Sequence, residues 1–215
     1  MLFAPCLLFD FDGVIVDSEY YYYQAAKQAF AGIKDIQEQE YYHYWTNQGG
    51  GLRREQRLLN LSDAEVTTLA ARTKQNYLSF ISSGSIPIYP QIPPILQTCR
   101  ELGKELHIVS NTHPDWIRAI LDQHNLTAYF SKICGRYPGT RSKPAPDVFL
   151  QALQEIDHPP EDCLVLEDTL KGVQAAQAAG LRVCAIRNRY NQDIPFPTEC
   201  LFPSHQHLLD TLTTF

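Results

Sequence analysis

Short apolar runs alternate with amphipathic stretches along most of the chain. The run from Cys6 to Phe9 is unbroken and bounded, which is typical of a strand buried on both faces of a sheet. From about residue 93 onward, helical patterns and further apolar runs take turns. This order predicts an α/β core with a doubly wound parallel sheet and right-handed crossovers. The predicted strands are 6–9, 106–110, a short one within 129–134, 162–167, 182–186 and 199–202.

The segment between the first two strands has a different pattern, in which helical stretches replace the strands. Ser62, followed by Glu65 three residues later, is a capping-box sequence that begins the longest of these helices. A stretch rich in Ser, Gly and Pro then returns the chain to the alternating pattern. We therefore expect an all-helical subdomain of residues 17–83, inserted into a core made of residues 1–16 and 84–215.

The composition excludes several classes of protein. With 215 residues, 44% of them hydrophobic, the chain can bury a sizeable core. A net charge of −6 supplies no basic surface for nucleic acid. There is no run of about 18 apolar residues, so we expect no membrane span. The first acidic residues also appear too close to the start of the chain for a signal peptide.

The six cysteines are widely spaced and form no CxxC pair. Most of them lie in apolar stretches, so we expect buried free thiols rather than disulfides or metal ligands. Free thiols are typical of a reducing compartment, and we therefore expect a cytoplasmic protein. The cysteines are Cys6, Cys99, Cys134, Cys163, Cys184 and Cys200.

Two carboxylates, Asp10 and Asp12, follow the first predicted strand and precede Gly13. Side chains alternate in a strand, so both acids can point to the same side where the strand ends. Open α/β sheets bind ligands at the carboxyl ends of their strands. By itself, however, the Asp-Gly step fits a simple turn equally well.

Polar groups follow the later strands too. Ser110 and Asn111 follow the second strand, Lys143 precedes a helix after the third, and the acids Glu167 and Asp168 follow the fourth. Each group alone fits a turn or a helix cap, but parallel strands bring all of them to one edge of the sheet. Like charges about 4 Å apart cost on the order of 4 kcal/mol at an effective dielectric constant of about 20. We therefore expect a divalent cation with oxygen ligands, namely Mg²⁺.

With these motifs in this order, the chain resembles the haloacid dehalogenase-like hydrolase superfamily, in the phosphatase and beta-phosphoglucomutase branch that carries a helical cap. Residues 10–14 match the family's DxDG(V/T) signature. Ser110 matches its serine/threonine motif, Lys143 its lysine motif, and Glu167 with Asp168 its acidic motif. The resemblance covers nearly the whole chain and implies a Rossmann-like core.

The resemblance also implies roles for the site residues. Asp10 is the expected nucleophile, and Asp12 the expected general acid and then base. Lys143 and Ser110 are expected to stabilise the transferring phosphoryl group, and Asn111 to contact it. The second acid favours phosphoryl transfer over dehalogenation, because a leaving halide needs no proton. The expected Mg²⁺ site contains Asp10, Asp12 through its backbone carbonyl, Glu167 through a water, and Asp168.

By the same resemblance, the helical subdomain sets specificity. Gly50, Arg53 and Arg54 are candidate substrate contacts, and either arginine is suited to a second phosphate or a carboxylate. The tyrosines of residues 20–23 are further candidates, although packing is their commoner role. Tyr22 stands where the mutases carry a histidine, which counts against mutase activity.

We therefore expect a Mg²⁺-dependent phosphatase acting on a small phosphorylated metabolite, a sugar or polyol phosphate, through an aspartyl-phosphate. It is expected to be a monomer rather than a dimer, without nucleic-acid or membrane partners. Residues 14–19 and 82–89 are expected to form a two-stranded hinge for the cap. Two alternatives remain: a sugar-phosphate mutase, and a non-catalytic relative that binds a phosphorylated ligand or a protein.

Overall fold

The computed structural model describes residues 4–47 and 50–214 and divides the chain into two compact units. One unit contains the chain up to Asp17 and the chain from Pro87 onward, and the other is Ser18–Ile86. Within the described residues, no helix combines the length and apolar character needed to cross a membrane. That the helical unit serves as a cap stays a prediction.

A six-stranded parallel sheet runs through the first unit. Its strands are β1 (Cys6–Phe9), β2 (Glu105–Val109), β3 (Lys132–Cys134), β4 (Cys163–Glu167), β5 (Arg182–Ile186) and β6 (Cys200–Phe202). The spatial order β3-β2-β1-β4-β5-β6 confirms the doubly wound α/β fold. β1 is completely buried between β2 and β4, where the strand order reverses. Ligands bind at this switch point in folds of this class, so the fold places the end of β1 where a site is expected.

Helices connect the strands and build the second unit. They are α1 (Glu19–Ala29), α2 (Glu38–Tyr41), α3 (Gly51–Leu59), α4 (Asp63–Ser82), α5 (Ile92–Glu101), α6 (Pro114–Gln123), α7 (Asp147–Glu155), α8 (Leu170–Ala178) and α9 (His205–Thr213). The sequence pattern missed α9, a short helix with few apolar residues. The Ser204 hydroxyl caps it by accepting from the His207 N–H, and Leu208 and Leu212 are its buried apolar residues.

The helical unit has an aromatic core. The capping box of Ser62 and Glu65 begins α4 as predicted, with both of its reciprocal hydrogen bonds present. The Tyr22 ring stacks on Tyr77 with 3.7 Å between centroids, and Tyr23 is buried beside Tyr41. These tyrosines of the 20–23 run therefore have packing partners inside the unit. Gln48 and Gly49, which precede the candidate substrate contact Gly50, lie outside the described residues.

The two chain segments that connect the units run side by side. Val16 forms an antiparallel bridge with Ile88. The Asp17 N–H donates to the Pro87 carbonyl at 2.9 Å, and the Tyr89 N–H donates to the Ile15 carbonyl at 3.0 Å. This pairing is the one expected of the two segments, while their action as a hinge stays a prediction.

The expectation of free thiols is wrong for one cysteine pair. Cys184 on β5 and Cys200 on β6 form a disulfide. They are 16 residues apart in the chain, but the parallel register of the two strands sets them side by side. The other four cysteines are free and buried, as predicted.

His107 gives the fold a testable dependence on pH. Its ring is fully buried in β2, with Nε2 3.3 Å from the Glu105 carboxylate. Burial lowers its pKa, Glu105 opposes the shift, and His158 and Lys132 add to it. Below about pH 6.5 the unfolded chain therefore binds a proton that the folded chain refuses, so the free energy of unfolding falls as the pH falls.

We predict that His107→Leu weakens this acid destabilisation between about pH 7 and pH 5.5, where one titrating group contributes at most about 1.4 kcal/mol per pH unit. Urea unfolding at several pH values measures it. His207→Gln, which removes an exposed histidine, is the control and should keep the wild-type slope. An unchanged slope in His107→Leu would show that His107 is not the responsible group.

Candidate active site

Asp10 extends the sheet one residue beyond β1. Its N–H donates to the Leu166 carbonyl of β4 at 2.9 Å, and its side chain is buried at the edge of the sheet. The chain then turns sharply at Gly13, whose φ of +77° favours glycine. A Cβ there would also lie only 1.9 Å from the Asp168 carboxylate. The glycine therefore permits both the turn and the close approach of the acidic motif.

Lys143 lies at the centre of the site. Its ammonium donates to Asp10 Oδ1 at 3.0 Å, to Glu167 Oε1 at 2.7 Å and to the Val109 carbonyl at 2.9 Å. The side chain is only 3% exposed. Its backbone N–H donates to Asn111 Oδ1 at 3.0 Å, which ties the lysine loop to the loop after β2. Residues predicted from three separate strand ends are therefore brought together.

The charges of these groups do not balance. Burial alone would lower the pKa of Lys143, but the carboxylates of Asp10 and Glu167 outweigh it and raise that pKa. Burial raises the pKa of Asp10 to about 7, with the Glu167 carboxylate adding to the rise and Lys143 opposing it. One ammonium thus does not compensate the buried acids that surround it.

The acids form a group that fits a metal ion. Asp10, Glu167 and Asp168 each offer an oxygen, these atoms lie within 4.8 Å of one another, and all three residues are buried. Hard oxygen donors with excess negative charge suit Mg²⁺. The predicted contribution of Asp12 is its backbone carbonyl and stays a prediction. Its carboxylate accepts a hydrogen bond from the Thr112 hydroxyl at 2.5 Å.

Glu167 is held in one orientation from both ends of its carboxylate. Oε1 accepts from Lys143, while Oε2 accepts from the N–H groups of Asp168 and Thr169 at 2.9 Å and from the Thr169 hydroxyl at 3.0 Å. A Cβ on Gly172 would lie 1.7 Å from this carboxylate. The glycine near the start of α8 therefore leaves room for the buried acid.

The loop after β2 contributes Ser110, which is buried. Its N–H donates to the Cys134 carbonyl of β3 at 3.0 Å, and its Oγ accepts from the Thr112 N–H at 3.2 Å. The sequence places Thr112 in the same polar group as Ser110 and Asn111, but only those two were assigned roles, and Thr112 is the residue that holds Asp12. The position of the Thr112 hydroxyl, two residues after Ser110 in the chain, could have indicated that it also reaches the site.

Two further residues escaped the sequence analysis. Asn188 and Asn191 follow β5, are buried, and hydrogen-bond the side chain and the backbone carbonyl of Asp168, respectively. The rule that parallel strands end at one edge applies to β5 as well. The two asparagines, three residues apart after the fifth apolar run, could therefore have been predicted to lie at the site.

The candidate specificity residues belong to the helical unit. Arg54 pairs through Nη1 with Glu40 at 2.7 Å and with the buried Glu55 at 2.6 Å, and its guanidinium lies 3.9 Å from the centre of the Tyr44 ring. Arg53 is exposed. Gly50 precedes α3 with a φ of +80°, and its carbonyl accepts from the Arg54 N–H. Their contact with a substrate stays a prediction.

A doubly wound sheet with a lysine and three acids at its switch point defines an α/β enzyme, and comparison with known proteins identifies its family. The model of the haloacid dehalogenase-like hydrolases matches residues 5–180. The chain belongs to this family, and the expectation of a haloacid dehalogenase-like phosphatase is confirmed.

Individual relatives agree with this assignment. The chain is 31% identical to protein CbbY of Rhodobacter capsulatus over 88% of each protein. It is also 31% identical to phosphoglycolate phosphatase of Aquifex aeolicus, over 82% of this chain and 81% of the relative. Crystal structures of CbbY from Rhodobacter sphaeroides, with phosphate or with xylulose-(1,5)bisphosphate, have TM-scores of 0.79. They are 25% and 24% identical, respectively, and cover 94% of this chain and 95% of theirs.

The uncompensated charge predicts how the site responds to a neutral substitution. Between about pH 4 and pH 7 the folded chain keeps a proton on Asp10 that the unfolded chain has lost, so the wild type loses stability as the pH rises. Asp10→Asn removes this loss, while Lys143 keeps Glu167 as its partner. Without metal at about pH 8, the variant should be more stable by on the order of 2 kcal/mol.

Thermal unfolding in EDTA and in excess Mg²⁺ measures this effect. Mg²⁺ should stabilise the wild type more than Asp10→Asn, because the variant has lost one ligand. Asp157→Asn, which removes an exposed carboxylate, should behave like the wild type in both conditions. Equal stabilisation of wild type and Asp10→Asn by Mg²⁺ would argue against a metal at this cluster.

Proposed function

We propose that the chain is a Mg²⁺-dependent phosphatase of a small phosphorylated metabolite and works through an aspartyl-phosphate on Asp10. The observation that carries this proposal is the contrast between its two aspartates. Asp10 is buried and bound to Lys143, whereas Asp12 is half-buried and accepts from the neutral Thr112 hydroxyl. Carboxylates in different environments serve different chemical roles.

Asp10 acts as the nucleophile in this mechanism. Lys143 holds its Oδ1, which fixes the carboxylate so that an oxygen can attack phosphorus in line with the leaving oxygen. The bond from phosphorus to the leaving oxygen breaks as the bond to the Asp10 oxygen forms. Lys143 and the Ser110 hydroxyl stabilise the charge on the phosphoryl oxygens.

Asp12 moves the protons. It protonates the leaving oxygen in the first step. In the second step it takes a proton from the water that attacks phosphorus, and the bond between phosphorus and the Asp10 oxygen breaks, which releases phosphate and restores the Asp10 carboxylate. The Thr112 hydroxyl orients its carboxylate at 2.5 Å. When bound by Asp10, Glu167 and Asp168, Mg²⁺ supplies positive charge that lowers the repulsion between phosphate and carboxylates.

Relatives support the class of substrate. The relatives include a phosphoglycolate phosphatase, and CbbY structures hold phosphate or xylulose-(1,5)bisphosphate. These are small molecules that carry one or two phosphates, which fits a sugar or polyol phosphate as the substrate here. The net charge of −6 gives no reason to expect a nucleic acid, and the monomeric state stays a prediction.

The helical unit is proposed as the cap that selects the substrate. Both ion pairs of Arg54 use Nη1, and the Tyr44 ring stacks against its guanidinium, so that group is held in one orientation. A preorganised guanidinium loses less conformational freedom when it binds a second phosphate or a carboxylate. Arg53 is exposed, has no comparable ion pair among the residues that the structure describes, and is the alternative.

The contacts of Tyr22 favour hydrolysis over a mutase reaction. Where the mutases of this branch carry a histidine, Tyr22 has a phenol, a type of side chain poorly suited to moving protons at neutral pH. Its ring is stacked on Tyr77.

The cytoplasmic location also stays a prediction, and the Cys184–Cys200 disulfide removes part of its original support.

A comparison of two esters tests the roles of the aspartates. Asp10→Asn should abolish Mg²⁺-dependent hydrolysis of p-nitrophenyl phosphate and of alkyl phosphates. Asp12→Asn should reduce alkyl phosphate hydrolysis more, because an alkoxide needs a proton to leave and p-nitrophenolate does not. Release of p-nitrophenol should then show a burst, since the second step still needs the base.

Asp157→Asn is the control for both variants and should keep wild-type rates. Full activity of Asp10→Asn would refute the nucleophile, and equal losses on both esters without a burst would refute the role of Asp12. A hexose 1-phosphate supplied with a trace of its bisphosphate distinguishes the two activities. Release of free phosphate supports the phosphatase, whereas isomerisation without release would identify a mutase.

A further inference from the structure

Asn188 links the two loops that carry the acids. Its carboxamide nitrogen donates to Asp168 Oδ2 at 2.7 Å and to the Gly13 carbonyl at 3.0 Å. Its carboxamide oxygen accepts from the Tyr190 N–H at 2.9 Å. A flipped amide would face two acceptors with an oxygen, so this network allows only one orientation of the side chain.

Asn191 supports this arrangement from behind. Its side-chain oxygen accepts from the Asn188 N–H at 2.9 Å. Its nitrogen donates to the Asp168 carbonyl at 2.7 Å and to the Ile186 carbonyl at 3.0 Å. Asp168 is therefore held by its backbone and by its carboxylate, through two buried asparagines whose side-chain groups are all hydrogen-bonded.

Packing against Gly13 leaves the Asp168 carboxylate little freedom. A Cβ at Gly13 would lie 1.9 Å from Asp168 Oδ2 and 3.0 Å from the Asn188 nitrogen. The three groups are thus in close contact. A small rotation of the Asp168 carboxylate would lose the hydrogen bond to Asn188 or collide with the glycine backbone.

Asn188 holds Asp168 without neutralising it. Lys143 places its positive charge between Asp10 and Glu167, whereas the group that donates to Asp168 Oδ2 from Asn188 is a neutral amide. The nearby Arg189 pairs with Asp17 at 3.2 Å. A cation in place of Asn188 would compete with a metal for Asp168, and an amide does not.

We propose that Asn188 is a positioning residue that sets the Asp168 carboxylate for Mg²⁺. This inference rests on the metal-dependent function proposed above. Groups that orient metal ligands contribute about 10-fold to 100-fold in metal affinity. The side-chain groups of Asn188 bond Asp168, Gly13 and Tyr190. Loss of Asn188 should therefore weaken metal binding, while Asp10 and Asp12 keep their chemistry.

Isothermal titration with Mg²⁺ tests this inference on the wild type, Asn188→Ala and Asn188→Ser. Asn188→Ala should bind Mg²⁺ about 10-fold to 100-fold more weakly, and Asn188→Ser, which retains a short donor, should lose less. The Mg²⁺ concentration for half-maximal hydrolysis of p-nitrophenyl phosphate should rise in parallel. At saturating Mg²⁺, kcat should return close to the wild-type value.

Asn76→Ala is the matched control, because it removes a carboxamide that donates to the Ala25 carbonyl within the helical unit. It should change neither measurement. A purely structural role of Asn188 would lower kcat at every Mg²⁺ concentration without moving the half-saturation point, and that result would overturn the inference. If Asn188→Ala does not fold, Asn188→Ser decides by the same criterion.

The outcomes also separate this inference from the proposed function. If the wild type binds Mg²⁺ and Asn188→Ser binds it equally well, only the role of Asn188 is overturned. If the wild type binds no Mg²⁺ and hydrolyses the ester in EDTA, metal dependence fails and the role of Asn188 fails with it.

Discussion

The ammonium of Lys143, buried between Asp10 and Glu167, is the interaction on which the rest of the site depends. All three of its N–H groups have acceptors, one of them a carbonyl of β2. Removal of Lys143 would cost about 3–5 kcal/mol, because it would leave two buried carboxylates without their cation. The lysine loop and the ends of β1, β2 and β4 must therefore keep their relative positions for the fold and the chemistry alike.

The same arrangement explains why the negative charges at the site outnumber the positive charge of Lys143. A second lysine would satisfy the acids and stabilise the protein, but it would also occupy the place of a divalent cation. The neutral donors to Asp168 and to Asp12 orient carboxylates and leave their charge in place. Under the proposed function, repulsion among the buried acids of the metal-free protein is the counterpart of affinity for a cation.

The order of apolar runs predicted the sheet and the four polar groups that follow its first four strands, because parallel strands all end on one side. That rule specifies which loops meet but not which atoms bond. Whether Thr112 or Ser110 reaches Asp12 depends on loop geometry, and so do the contacts of Asn188. The disulfide was not predicted for a related reason, because Cys184 and Cys200 become neighbours only through the register of β5 and β6.

Asp10 and Asp12 show how two identical residues at neighbouring positions acquire different chemistry. Asp10 continues the ladder of β1, so its side chain enters the buried edge where Lys143 and Glu167 lie. Asp12 comes after the ladder has ended, in the turn that Gly13 permits, and remains half-buried beside a hydroxyl. A nucleophile needs a fixed position and a cationic neighbour, whereas an acid/base needs contact with substrate and water. Because that difference arises where the strand ends, the course of the backbone supports the two roles proposed for these residues.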